Sequence, residues 1–141
     1  HHPNVSDKYA PSCACCLKKQ QALREDISSH PLYRIFLTLE QDTALKITHS
    51  GLFTHSVHEF QYNEQSAHRG IVYLHAGSQQ YSIDLTQIYH LHVKIDIIKG
   101  RPHTVLSAYN AHSHNILDLS KAGMSALLQW SNELKIASPS V

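Results

Sequence analysis

The stretch IYHLHVKIDIIKGRPHTVLSAYNAHSHNILDLS, residues 88–120, predicts three consecutive antiparallel strands. Gly100 and Pro102 mark the first chain reversal, and the polar residues 111–114 mark the second. In the first strand apolar and polar side chains alternate, as in a strand with one packed and one wet face. The packed face would hold Tyr89, Leu91, Val93, Ile95 and Ile97, and the wetter face His90, His92, Lys94 and Asp96.

Short runs upstream of this meander also have strand character, because β-branched, aromatic and alternating residues lie between turn signals such as Ser50-Gly51. We expect strands at LYRIFLTL (32–39), ALKITH (44–49), LFTHSVHEFQY (52–62), GIVYLH (70–75) and QYSIDL (80–85). The polar residues between 62 and 69 are expected to form a turn.

Helices are expected at both ends of the strand region. Residues 12–29 contain helix formers and no glycine or proline, and Pro31 is expected to end that helix. After Met124 the apolar spacing becomes helical and ends before Pro139, with Leu127, Leu128, Trp130 and Leu134 on its apolar side. The sequence therefore predicts an α+β fold, an antiparallel sheet of about seven to eight strands flanked by an N-terminal and a C-terminal helix.

The chain length and charge restrict the class of protein. A chain of 141 residues suits one domain, expected at residues 12–138 after a flexible segment, residues 1–11, in which His1 and His2 resemble a tag remnant. The net charge of +1 does not favour nucleic acid as a partner. No apolar run approaches the roughly 20 residues of a membrane span, so no membrane insertion is expected.

The cysteines form one cluster, SCACC, with thiols at Cys13, Cys15 and Cys16. An odd and clustered set is a poor disulfide framework, which favours a reducing, cytoplasmic location. Cys13 and Cys16 have CxxC spacing, but the sequence contains no second CxxC. A metal or redox role and a purely structural role on one side of a helix both remain open.

Thirteen histidines are present, and the stretch THSVHEF, residues 54–60, holds two of them in a predicted strand. Alternation puts His55 on one face with Val57 and Glu59, and His58 on the other with Phe60. A neutral imidazole beside apolar groups suits heme iron, although a lone strand histidine also suits a wet β face. Other residues suited to heme are Phe60, Tyr62 and Tyr73 as pocket walls and Arg69 as a propionate partner.

Residues 57–134 resemble the bacterial heme-utilisation proteins of the HemS/HutX-like family, in particular one half of the duplicated HemS type. Similar landmarks follow in the same order: VHE, QYNEQSAHRGIVYL, QQYSIDLTQIYHLHVKI, PHTVLSAYNAHSHNIL and MSALLQWSNEL. The resemblance implies that His58 binds heme iron. The family holds propionates with an arginine from the strand that reads QYSIDL here, where this chain has Ser82 and Asp84. Arg69, Lys99 or Arg101 would have to substitute.

The resemblance also implies function and assembly. Single-domain members of the family form homodimers, carry heme in the cytosol for iron acquisition, and in some relatives degrade it. We therefore expect a cytoplasmic heme carrier, a homodimer with heme as cofactor, rather than an enzyme. A heme-degrading enzyme that releases iron is one alternative. A module for a divalent metal or small ligand, using histidine pairs and the cysteine cluster, is another.

Overall fold

The computed structural model describes residues 14–40, 44–50, 55–61, 64–76 and 78–137. The expected flexible segment, residues 1–11, lies outside them. Within them the chain forms three α-helices, eight strands and a 3₁₀ turn at Leu85–Gln87. In chain order these are α1 Ala14–Glu25, α2 Pro31–Thr38, β1 Ala44–Ser50, β2 His55–Gln61, β3 Glu64–His68, β4 Ile71–Ala76, β5 Gln79–Asp84, β6 His90–Ile98, β7 Arg101–Tyr109, β8 Asn115–Ala122 and α3 Ala126–Ala137. The predicted α+β class is confirmed.

The strands divide between two antiparallel sheets. The larger sheet has five strands in the order β2-β1-β8-β7-β6, and the smaller has the order β3-β4-β5. Strands β6, β7 and β8 are consecutive neighbours, so the predicted meander is confirmed. Gly100, with a φ of +77°, occupies the β6–β7 turn, where a left-handed backbone suits glycine.

The prediction of a strand at residues 32–39 is wrong, because these residues form helix α2. Pro31 is the first helical residue rather than a terminator of α1, a position that suits a residue without an N–H. His30 caps the helix, since its Nδ1 accepts a hydrogen bond from the Leu32 amide at 3.1 Å. Leu32, Ile35 and Phe36 are buried, and their spacing of three and four residues is helical.

The polar turn expected between residues 62 and 69 is also wrong in part. Glu64–His68 forms strand β3 and pairs with β4 along its whole length. Its side chains are mostly exposed, because β3 is an edge strand of the smaller sheet. This strand is not predicted from the sequence because its residues are mainly polar, and polar residues are common in edge strands.

One core joins the two sheets and the helices. It contains Ile47, Leu106 and Leu119 of the larger sheet, together with residues from β4, the 3₁₀ turn and all three helices or their flanks, such as Leu74, Leu85, Ile27, Phe36 and Trp130. Helix α3 contributes Trp130, which is fully buried, and Leu128 is 71% exposed. The prediction that Leu128 lies on the apolar side of the closing helix is therefore wrong.

The larger sheet has two distinct faces, which we call the packed face and the open face. One cross-strand row of the packed face consists of Ile47, Leu119, Leu106 and Val93. The neighbouring row of the open face consists of Glu59, Lys46, Ser120, Val105 and Lys94. On the open face His90, His92, Lys94 and Asp96 are exposed, so the predicted wetter face of β6 is confirmed.

Candidate functional site

Strand β2 places its two histidine positions in different rows of the larger sheet. Position 58 pairs with Ile47, which is fully buried and belongs to the packed face. Val57 pairs with Thr48 on the open face. Position 55 is two residues from Val57, pairs with Ser50, and therefore lies on the same face. Because paired residues share a face, the backbone register puts positions 58 and 55 on opposite faces, as alternation predicts.

The aromatic residues predicted around His58 fall in different parts of the fold. Phe60 pairs with Leu45 and belongs to the same set of rows as position 58. Tyr62 lies outside the described residues. Tyr73 is half-buried in β4 and pairs with Ser66 and Ser82, on the side of that strand away from the buried Val72 and Leu74.

Of the three predicted propionate partners, Lys99 is exposed in the β6–β7 turn beside Arg101, and Arg69 lies apart from both. Arg69 is exposed in the β3–β4 turn, where its φ of 51° is left-handed. Arg101 is the exposed first residue of β7 and alternates with His103 and Val105, which places it on the open face. The structure therefore brings together positions 58 and 60, whereas Arg101 lies on the opposite face and Arg69 and Tyr73 belong to the smaller sheet.

A cavity of about 400 Å³ lies between α1, the α1–α2 connection and the segment after β5. Its lining includes Leu23, His30, Ile88 and Tyr89. A second cavity of about 270 Å³ shares His30, Ile88 and Tyr89 and adds Leu91 and Leu134. His30 therefore contacts two neighbouring spaces with mixed walls, in which polar residues such as Lys19 and Asp26 accompany the apolar ones. The sequence does not indicate this role, because a His-Pro pair is also typical of the end of a helix.

Burial determines the charge of His30. Its side chain is 8% exposed, and desolvation lowers its pKa from 6.5 to about 4. The imidazole is consequently neutral near pH 7. Since Nδ1 accepts the Leu32 amide hydrogen bond, the ring proton resides on Nε2. A neutral, buried imidazole at a cavity wall can meet a metalloporphyrin, but in this arrangement it serves as a helix cap.

The exposed histidine pairs do not form a metal site in the described part of the chain. No group of three or more histidine, cysteine, aspartate or glutamate residues there is arranged to hold a metal ion. The rings of His112 and His114, for example, have centroids 6.2 Å apart in the β7–β8 turn, without a third ligand group. Of the cysteine cluster, Cys13 lies outside the described residues.

Membrane insertion through a helix finds no support in the described segments. None of their helices combines the length and the apolar character needed to cross a bilayer.

Comparison with known proteins identifies the fold. No protein-family model and no curated protein matches the chain. Among solved structures, holo-PhuS, a heme-binding protein from Pseudomonas aeruginosa, matches with a TM-score of 0.59 and 12% identity over 79% of this chain and 33% of PhuS. ChuS, an E. coli heme oxygenase, matches with a TM-score of 0.58 and 12% identity over 79% of this chain and 36% of ChuS. The structural neighbours are heme-utilisation proteins.

One structural neighbour, ChuX, is covered over most of its own length. ChuX matches with a TM-score of 0.57 and 8% identity over 77% of this chain and 73% of ChuX. The chain thus spans about one third of PhuS and ChuS but most of ChuX. At these identities the comparison establishes a shared fold.

Proposed function

We propose that the protein binds heme and carries it in the cytosol during iron acquisition. The observation that carries this proposal is the fold shared with holo-PhuS, a heme-binding protein, over 79% of the chain. A cavity whose mixed lining includes Leu23, Ile88 and a neutral imidazole adds chemical support, because a porphyrin needs apolar contacts and an axial nitrogen.

His58 is the proposed iron ligand. Position 58 pairs with the buried Ile47, and position 60 lies two residues further along β2 on the same face of the sheet. Tyr62, Tyr73 and Arg69 are proposed as further heme contacts. Arg101 lies on the other face of the sheet, so within one chain it is not a partner for the same heme as His58. A second copy of the chain could bring it to that heme.

His30 is the competing ligand. It is the described histidine that is both buried and in contact with two cavities, and its low pKa keeps the ring neutral, as iron ligation requires. Against it stands the helix cap, because Nδ1 already accepts the Leu32 amide. Ligation through Nε2 would require the ring to lose its proton or to turn over and release the cap.

Hemin titration followed by absorbance tests this proposal. The wild-type protein should shift and sharpen the Soret band of hemin, with an end point of one hemin per chain. His58→Ala should alter the position of the bound band and weaken hemin retention, whereas His55→Ala, from the opposite face of β2, is the matched control and should leave both unchanged. A shift in His30→Asn alone would assign the iron to His30. A spectrum that stays identical to that of free hemin would refute heme binding.

Heme degradation is the second candidate function, because ChuS, described as a heme oxygenase, matches this fold as well as PhuS does. Addition of a reductant to the hemin complex in air separates the two functions. A carrier should retain its Soret band, and an enzyme should lose the band while a chelator detects released ferrous iron.

A homodimer is proposed for assembly. The chain covers about one third of PhuS, and the larger sheet has edge strands at β2 and β6 that a second copy could cover. Light scattering should give about twice the chain mass of 15.9 kDa. A mass near one chain at micromolar concentration would contradict the dimer.

A further inference from the structure

A groove of about 610 Å³ crosses one end of the open face. Small side chains of the central strands lie along it, namely Ala44 of β1 and Ser120 and Ala122 of β8. Longer side chains flank them, because β8 lies between β1 and β7 and pairs Ser120 with Lys46 and Ala122 with His103. The groove is therefore formed by a local contrast in side-chain size, and its volume is in the range of small-molecule sites.

The groove is positively charged. Lys46, Lys99 and Arg101 line it, and Glu59 is the carboxylate among its described lining residues. Within the described ranges none of these three cations forms an ion pair. Three cations against one carboxylate leave an excess of about two positive charges. Such a concave surface attracts anions.

His103 adds an oriented imidazole to the groove. Its Nδ1 lies 3.1 Å from the backbone oxygen of Arg101. A carbonyl oxygen only accepts, so Nδ1 carries a proton and donates it, which fixes the ring. Nε2 is then the second polar atom of a ring that contacts the groove, and it donates a hydrogen bond to an anion when the ring is protonated.

Ser120 supplies an unsatisfied hydroxyl. Its side chain is 8% exposed, and its Oγ is buried without a hydrogen-bond partner. In native folds most buried polar atoms have a hydrogen-bond partner. Because Ser120 lines a cationic groove, an atom of a ligand bound there could be the partner of its hydroxyl. Arginine, lysine and a hydroxyl donor are groups that together bind carboxylate or phosphate oxygens.

We propose that this groove binds a small anion with at least two negative charges through carboxylate or phosphate oxygens. Arg101 and Lys46 provide the charge, and the Ser120 hydroxyl donates to one ligand oxygen. The site goes beyond the proposed heme function. It lies on the open face, whereas position 58 belongs by register to the packed face. His30 contacts one cavity bordered by Leu91, which is also on the packed face, and none of the described residues of the groove lines either cavity of His30.

Calorimetric titration at low salt with pyrophosphate, and separately with succinate, tests the site and distinguishes its two chemical sources. One probe should bind the wild-type protein, and Arg101→Gln should weaken that binding about tenfold or more, since a charge-assisted contact is lost. Ser120→Ala should weaken binding while raising the melting temperature, because it removes an orphan hydroxyl. A purely structural serine would change the melting temperature alone, and that result would overturn its assignment as a ligand donor.

Lys94→Gln is the matched control, because Lys94 is exposed on the same face but does not line the groove. Equal weakening in Lys94→Gln would mean unspecific charge attraction and would overturn the site, as would the absence of binding by both probes. Lys46→Gln should also weaken probe binding, and hemin titration of that variant should match the wild type, because Lys46 lines the groove and is not a proposed heme contact. If Lys46→Gln loses hemin while neither probe binds, the groove holds heme propionates and the separate site is refuted. If a probe binds but the protein leaves the spectrum of free hemin unchanged, the groove stands and the heme function fails.

Discussion

The packed and open faces of the larger sheet are built from the same five strands, yet adjacent residues meet opposite requirements. In β8, Leu119 is 1% exposed within the common core, and Ser120 faces a cationic groove with an unsatisfied hydroxyl. In β1, Ile47 is fully buried and its neighbour Lys46 lines that groove. The difference teaches that in β1 and β8 one face of the strand is used for packing, which leaves the other available for ligands.

The largest expected effect comes from the packed face. Leu119→Ala should reduce the free energy of unfolding by about 2–5 kcal/mol, because it removes buried methyl groups and leaves a cavity. Val57→Ala, on the open face of β2 and 47% exposed, should change it by less than about 0.5 kcal/mol. Urea denaturation measures both, and equal losses would show that the two faces contribute alike to stability.

Alternation made the sheet predictable from the sequence, whereas the N-terminal region was not. The β6 pattern correctly separated Leu91 and Val93 from His90 and His92. The run at residues 32–39 is ambiguous, because the spacing of Leu32, Ile35 and Phe36 fits a helix while its aromatic and branched residues also suit a strand. Pro31 settles this ambiguity only when it is recognised as a first helical residue.

The division into two sheets and the location of cavities depend on long-range packing. Nothing local distinguishes β4, which joins the smaller sheet, from strands of the larger one. Likewise, the register puts Arg101 on the open face and positions 58 and 60 on the packed face, a relation that requires strand order as well as alternation. The heme-like chemistry of individual residues could thus be proposed from sequence, but their grouping could not.

The second effect concerns His30, the buried histidine that precedes helix α2. His30 has a pKa of about 4 in the folded protein and 6.5 when unfolded, so the unfolded chain binds more protons between these values. Stability should therefore fall as pH decreases through this window, by about 2 kcal/mol between pH 7 and pH 5. His30→Asn retains a capping side chain and should lack this contribution. Urea denaturation at the two pH values measures the difference.

The control for this titration is His92→Asn, since His92 is exposed on the open face. It should retain the wild-type acid sensitivity. Other ionisable residues line the same cavities, namely Lys19, Asp26 and His90. If His30→Asn loses as much stability as the wild type between pH 7 and pH 5, the acid sensitivity belongs to one of those groups or to another part of the fold.

The third effect compares two buried hydroxyls. The Thr104 hydroxyl donates to the Gly123 backbone oxygen at 2.8 Å, whereas the Ser120 hydroxyl has no partner. Thr104→Val should destabilise the protein by about 1 kcal/mol, because a hydrogen bond is lost at nearly constant shape. Ser120→Ala should stabilise it by up to about 1 kcal/mol, because an unsatisfied polar atom is removed. Thermal unfolding that shows the same sign for both variants would disprove the orphan state of Ser120.

The smallest effect concerns two pairs of opposite charges. Between helices α2 and α3, Arg34 Nε donates a hydrogen bond to Glu133 Oε1 at 2.7 Å. The Arg34 side chain is 37% exposed and the Glu133 side chain 15% exposed. On the open face, Lys46 and Glu59 are direct cross-strand neighbours without an ion pair in the described structure. A double-mutant cycle should give about 0.5–1 kcal/mol for the first pair, since its partly exposed charges are screened by solvent. The second pair should give a coupling near zero. A coupling of Lys46 with Glu59 as large as that of the helix pair would mean that Glu59 holds Lys46, and the anion groove would then depend on Lys99 and Arg101 alone.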